Sequence, residues 1–166
     1  MAAARRLRWL WLVAAVVVAD RATKLAIELY TPEAFRRALI PRVAYLVHSR
    51  NPGIAFGIFA DAESKWLPAL LVATSVVVIG VLAWLLAAER ISGGAKRIGL
   101  ELILGGALGN VIDRLLHGSV TDFLEVWLGS YRWPAFNVAD SAISIGAALV
   151  VLDLLLGHRH PKKENS

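Results

Sequence analysis

Residues 66–88 read WLPALLVATSVVVIGVLAWLLAA, with no charged side chain. A helix rises about 1.5 Å per residue, so a run of this length covers the ~30 Å hydrocarbon core of a bilayer. It is apolar all round, where a helix packed on a soluble core would show a polar face. The stretch predicts a transmembrane helix, and the rest of the chain has to be read beside it.

Three further apolar blocks follow the same plan: LRWLWLVAAVVVADRATKLAIELY (7–30), RIGLELILGGALGNVIDRLL (97–116) and FNVADSAISIGAALVVLDLLLG (136–157). Each reaches spanning length only if ionisable residues are counted inside it. The sequence therefore predicts a membrane α-helical fold, a single integral-membrane domain over residues 1–166. Its four transmembrane helices are expected at about 7–27, 66–88, 97–116 and 136–157, with outer loops at about 30–65 and 117–134. Composition agrees: 57% of residues are hydrophobic and the mean hydropathy is +0.59, against about 45–50% apolar in soluble domains. Arg5, Arg6 and Arg8 ahead of the apolar run to Ala19 also resemble a secretory signal peptide. However, DRATKLAI continues the helical pattern, and no clear small-x-small cleavage site precedes a soluble domain.

The net charge is +5 and the pI near 10.0. In a soluble protein that would suggest nucleic acid. Here the basic residues sit between apolar blocks, so topology and anionic lipid account for them, and no nucleic-acid partner is expected. With four spans both termini share one side, which carries Arg5, Arg6, Arg8, Arg90, Lys96, Arg97, Arg159, Lys162 and Lys163. The opposite loops carry Arg36, Arg37, Arg42, Arg50, Lys65 and Arg132. Nine against six places the termini in the cytoplasm. The chain has no cysteine, hence no disulfide, thiolate nucleophile or Cys-based zinc site. His48, His117, His158 and His160 lack metal-ligand spacing, so neither a metal nor another cofactor is expected. The six tryptophans suit interfacial belts.

The outer loops have strand character. RVAYLVH (42–48) and IAFGIF (54–59) are β-branched and aromatic, separated by the turn-forming NPG. VTDFLEVWLGSYRW (120–133) carries its own turn at Gly129-Ser130. The two loops can pair into a small antiparallel sheet on the membrane surface.

Ionisable residues inside a bilayer cost roughly 2.5–3.5 kcal/mol each on insertion scales and call for a functional reading. Asp20 and Lys24 lie four apart on one face of the first helix, and Asn110, Asp113 and Arg114 lie at i, i+3, i+4 near the end of the third. Asp122 follows in the loop, and Asn137 and Asp140 share a face at the start of the fourth helix. Alternating topology brings all of these to one membrane face. Several bland readings compete. Asp20 with Lys24 reads equally as a structural ion pair, and Asp113 with Arg114 as an interfacial anchor. Glu101 and Asp153 read as boundary residues, and Gly105 with Gly109 as a close-packing pair. Asp122 and Asp140 resist such a reading, because no Lys or Arg lies within a turn of Asp140 in its helix. Two carboxylates at one site repel, so one keeps a proton and the pair offers an acid and a base at once, as in aspartic proteases. From composition and spacing alone, a small proton- or ion-coupled transporter fits equally, and a scaffold with polar interhelical contacts remains a third reading.

DRATK (20–24), NPGIAFG (51–57), GGALGNVIDR (105–114), VTDF (120–123) and FNVAD (136–140), in this order on four spans, resemble the lipoprotein signal peptidase (signal peptidase II) family. The resemblance runs from about Asp20 to Gly146. It implies a bacterial inner-membrane aspartyl endopeptidase that cuts prolipoproteins just before a diacylglyceryl-modified cysteine. It also implies four transmembrane helices, a small outer β-cradle and a short outer helix. The family's catalytic aspartates fall on Asp122 and Asp140. Its substrate-binding or supporting positions fall on Asp20, Lys24, Asn51, Gly53, Asn110, Asp113, Arg114 and Asn137. The expected partners are lipid-modified prolipoproteins and membrane lipid, with the enzyme a monomer and its site near the outer, periplasmic face. Gly57 stands where many members have serine, and Arg21 beside Asp20 is a permissible variation. The cysteine of this chemistry would belong to the substrate.

Overall fold

The computed structural model describes residues 9–53, 67–88 and 94–157. The run IAFGIF, Gly57 and the basic C-terminal tail lie outside them. Four helices are described: α1 (Trp9–Tyr30), α2 (Leu67–Ala87), α3 (Gly94–His117) and α4 (Val138–Gly157). Four strands join them: β1 (Arg36–Ile40), β2 (Ala44–Asn51), β3 (Val120–Leu128) and β4 (Tyr131–Phe136).

Local chemistry sets the helix ends. Pro68 sits in the first turn of α2, where a missing N–H costs no intrahelical bond. Helix α1 stops where Thr31 folds back, its hydroxyl donating to the Ile27 carbonyl at 2.7 Å. Helix α3 ends on Gly118, whose φ of +71° suits glycine and whose N–H bonds the Arg114 carbonyl at 3.0 Å. Strand β3 starts two residues later.

Helix α3 is the centre of the bundle and packs on the other three helices. Val13 of α1, Leu82 and Leu86 of α2 and Leu104 of α3 form a buried apolar cluster. Where α3 meets α4, glycine takes the place of side chains. A Cβ on Gly99 would lie 2.6 Å from the Gly146 carbonyl oxygen, and one on Gly146 would strike the Gly99 carbonyl in turn. Gly105 is pressed against Val16 of α1 in the same way, at 2.8 Å from its Cβ. The close-packing reading of GGALG is therefore correct.

Ala69–Ala87 and Val138–Leu156 are long and apolar enough to cross a membrane, yet only 11% and 17% of their most apolar windows are buried. Val77, Trp84, Ile145, Val151 and Leu155 face outward. An apolar helix serving as a soluble core would be mostly buried, so this exterior calls for a lipid solvent.

The strands form one antiparallel sheet in the order β1-β2-β3-β4. Two predicted features stand: β2 grows from RVAYLVH, and β3 and β4 form a hairpin about Gly129-Ser130 with Gly129 at φ +65°. The unpredicted strand is β1, which pairs Arg36 with Val47. Glu125, almost wholly buried, ties the sheet across its width by accepting from Arg36 at 2.9 Å, Arg132 at 2.6 Å and Trp127 Nε1 at 2.8 Å. A register shift between Leu46 and Ser49 sets Ser49 opposite Asp122.

Candidate active site

Helix α4 starts immediately after the sheet ends, and the predicted residues gather at its first turn. Asn137 is the N-cap. Its Oδ1 accepts the Asp140 N–H at 2.9 Å, and Asp140 Oδ2 accepts the Asn137 N–H at 3.3 Å. This is a reciprocal capping box built from Asn and Asp, which satisfies donors that every helix start leaves open. The Asn137 amide then reaches across to β3, donating to Asp122 Oδ1 at 2.7 Å and towards the Thr121 carbonyl at 3.4 Å. One side chain thus contacts both aspartates.

The second oxygen of Asp122 accepts from Asn51 Nδ2 at 3.1 Å. Asn51 is turned for this by Gly53, whose N–H bonds Asn51 Oδ1 at 2.9 Å. Gly53 has φ +101°, and a Cβ there would collide with Leu71 of α2. Backbone strain and space both require glycine at this turn. The second oxygen of Asp140 accepts from Asn110 Nδ2 at 2.8 Å.

Behind these contacts lies a buried ion network. The Lys24 ammonium has no solvent exposure and meets Asp20 at 2.7 Å, Asp113 at 3.0 Å and Asn110 Oδ1 at 3.0 Å. Its three protons therefore have three acceptors. Asp113 also pairs with Arg21 and accepts the Thr121 N–H at 3.2 Å. Asp20 accepts the Ala139 N–H at 2.9 Å, so a carboxylate of α1 caps α4 beside Asn137. A Cβ on Gly109 would come within 2.5 Å of Asp20 Oδ2, so this capping contact requires glycine across the helix pair.

Three expectations change. Asp113 is fully buried and ion-paired, so it is no interfacial anchor. Arg21, read as a neutral variation, is the second partner of Asp113. Glu101, expected at the boundary, is buried and paired with Arg97 at 3.1 Å. Three further residues escaped the sequence reading. Glu28, Thr121 and Arg50 form a hydrogen-bonded group beside Asp122. Spacing could have shown Glu28, since Asp20, Lys24 and Glu28 repeat at i, i+4, i+8 on one face of α1.

Burial pushes the Asp122 carboxyl up, and the negative charge of Asp140 pushes it further. The Asn51 and Asn137 donors and the Lys24 charge pull back, and the balance lies at about 6, from an ordinary 3.8. Arg114 adds a second positive charge close to both aspartates. Its Nε is buried without a hydrogen-bond partner. A polar cleft of about 450 Å³, lined by Ser49, Arg50, Asn51 and Arg132 among others, opens on Asp122. An apolar groove of about 300 Å³ leads from Asp140 along Ser141, Ser144 and Ile145 beneath Trp133 and Phe136. A third cavity of about 410 Å³, lined by His48, Glu125 and Trp127, includes neither aspartate in its lining. Among the described residues no group of His, Asp and Glu is arranged to hold a metal ion.

The arrangement is similar to known proteins over nearly the whole chain. A family model described as signal peptidase (SPase) II matches residues 12–156. A lipoprotein signal peptidase of Solibacter usitatus is 44% identical over 161 residues, covering 95% of each chain. One of Tolumonas auensis is 42% identical over 148 residues, covering 89% of each. A solved bacterial membrane enzyme superposes with a TM-score of 0.82 at 27% identity, covering 95% of this chain and 93% of its own. The chain belongs to the signal peptidase II family, the aspartic peptidases of lipoprotein processing. The transporter and scaffold readings, open on spacing alone, are thereby set aside.

Proposed function

We propose that this signal peptidase removes the signal peptide from diacylglyceryl-modified prolipoproteins by cutting just before the lipidated cysteine, with Asp122 and Asp140 as its catalytic pair. Release of signal peptides from prolipoproteins is the activity of the family. The observation that carries the assignment of the pair is Asn137, which hydrogen-bonds both carboxylates and holds them at the mouths of a polar cleft and an apolar groove.

The chemistry follows from the environments. Asp122, with its carboxyl raised to about 6, keeps a proton more readily than an ordinary aspartate, and a peptide seated over it removes remaining water and acts in the same direction. Protonated Asp122 donates to the scissile carbonyl oxygen. Asp140 takes a proton from water, and the water oxygen attacks the carbonyl carbon. The tetrahedral intermediate then collapses. The C–N bond breaks, a proton from the pair passes to the leaving nitrogen, and the products are a carboxylate on the signal peptide and a free amine on the lipidated cysteine. Arg114 and Asn51 are suited to hold substrate carbonyls, since Asn51 is a donor in the cleft lining and Arg114, close enough to interact with both aspartates, has a buried Nε with no hydrogen-bond partner.

The same reading places the molecule. It is one integral-membrane domain of four spans, both termini cytoplasmic, working as a monomer in a bacterial inner membrane. The sheet lies on the outer surface. Asp20, Lys24, Asn110 and Asp113 are then the buried support of the site at the outer ends of their helices, and Gly53 sets the Asn51 turn. Substrate acyl chains remain in lipid while the backbone enters the cleft.

The deciding experiment incubates purified enzyme with lipidated and with unmodified precursor and follows the mass of each. Loss of the signal peptide from the lipidated form alone is expected. Equal cutting of both would remove lipid docking from the account.

A further inference from the structure

Thr121 immediately precedes Asp122 and has no exposed surface. All its polar groups are held. Its N–H goes to Asp113 of α3 at 3.2 Å, and its carbonyl receives the Asn137 amide of α4 at 3.4 Å. Its hydroxyl donates to Glu28 Oε1 of α1 at 2.6 Å and accepts from Arg50 Nη1 at 3.2 Å. Arg50 is the cross-strand partner of Thr121 and also reaches Glu28, at 3.4 Å. Arg50 lies between Ser49, which sits opposite Asp122, and Asn51, which donates to Asp122. Glu28 is therefore the point where α1 grips both strands that frame Asp122. It stands one turn beyond Lys24, outside the network behind Asp140.

We propose that Glu28 is a positioning residue for Asp122, acting through the Thr121 hydroxyl. The inference rests on Asp122 being half of the catalytic pair. A carboxylate bond of 2.6 Å to a buried hydroxyl is short and charge-assisted, and fixes β3 against α1 more firmly than a neutral contact. Releasing it lets the Asp122 backbone move relative to the Asn51 and Asn137 donors. The charged groups around Asp122 are Asp140 of α4, Arg114 and Asp113 of α3, Lys24 and Glu28 of α1, Arg50 of β2, and Arg132 of β4, which lines the same cleft. Thr121→Val changes none of them, so it isolates position from charge.

Thr121→Val should lower kcat by about tenfold to a hundredfold, the scale of a sub-ångström to ångström misplacement, with KM changing less. The alkaline limb of its kcat/KM profile should move to higher pH, because the amide donors that favour ionised Asp122 are loosened and Asp122 works protonated. Thr121→Ser, which keeps the hydroxyl, should restore both. Glu28→Ala should lower kcat as Thr121→Val does and add less in the double variant than it costs alone, since the Thr121 bond is lost once and only the longer Arg50 contact at 3.4 Å is left to lose. Glu28→Gln keeps an acceptor oxygen and should lose less than Glu28→Ala. If Thr121→Val does not fold, Glu28→Ala against Glu28→Gln carries the test in the same assays. Unchanged profiles, independent losses in the double variant, or equal losses for Glu28→Gln and Glu28→Ala would each overturn the proposal. Asp122→Asn is measured alongside. If it is active, the catalytic pair itself is wrong; if it is inactive while Thr121→Val is silent, only the role of Glu28 fails.

Discussion

Asn137 and Asp140 cap each other: the side-chain oxygen of each accepts the backbone N–H of the other, at 2.9 and 3.3 Å. A proposed catalytic carboxylate is thus part of a helix start, and stability and chemistry can be separated by choosing which atom to remove.

Asn137→Ser keeps a good N-cap but loses the amide that reaches Asp122. Thermal melts in detergent should stay close to the parent, while cleavage falls at least tenfold, as expected when a charge-assisted contact to a reacting group is lost. Asn137→Ala should lose the cap as well and cost about 1 kcal/mol of stability. A Ser variant with full activity would show that the amide to Asp122 does not matter.

Asp140→Asn and Asp122→Asn should each abolish cleavage, by at least the roughly 10²–10⁴-fold that acid–base groups supply. Each should fold, because asparagine keeps one acceptor oxygen, so one of the two accepted hydrogen bonds survives, and one of two repelling charges is gone. The double variant should be scarcely worse than either single one, since the two act as a unit. Folded, active single variants would remove the pair from the mechanism.

The raised Asp122 carboxyl also predicts how stability depends on pH. Its folded value of about 6 exceeds the unfolded 3.8, so the folded state binds this proton more tightly. The contribution is fully present below pH 3.8 and is lost as pH rises to about 6. A difference of about two units corresponds to roughly 3 kcal/mol. Asp122→Asn, which cannot ionise, should therefore gain more stability over the parent at pH 7 than at pH 4. Parallel melting curves at the two pH values would contradict it.

Lys24→Met should destabilise by about 3–5 kcal/mol, because it leaves Asp20 and Asp113 as buried carboxylates with their shared cation gone. Gly109→Ala should cost about 1–3 kcal/mol through its collision with Asp20. Detergent melts on both measure this, and a Gly109→Ala protein as stable as the parent would mean that Asp20 is free to move.

The sequence carried the gathering of Asp122, Asn137 and Asp140 because helix direction alone brings those residues to one face, and because each stands where an uncharged residue would be cheaper. Strand β3 and its hairpin were legible from β-branched residues around Gly129-Ser130. Strand β1 was not: RRALI is fully exposed and offers two arginines where alternation should appear, and the partner of its Arg36 side chain, Glu125, is 89 residues away. Thr121 and Glu28 were missed for a similar reason. A threonine in a strand and a glutamate near a helix end are ordinary separately, and only the fold makes them partners.

The network of Asp20, Arg21, Lys24 and Asp113 bears on how α1 and α3 come together. Helix α1 carries two acids, Asp20 and Glu28, and two bases, Arg21 and Lys24, and Asp20 with Lys24 at i, i+4 can neutralise each other within the helix. The other two charges are met by other elements, Arg21 by Asp113 of α3 and Glu28 by Arg50 of β2. Lys24 then bridges Asp20 and Asp113. Docking of α3 on α1 thus gives the buried Asp113 two cations, so the association of these helices has its own electrostatic driving force. The site's innermost residues act as a latch between the two helices, closed before any substrate is met.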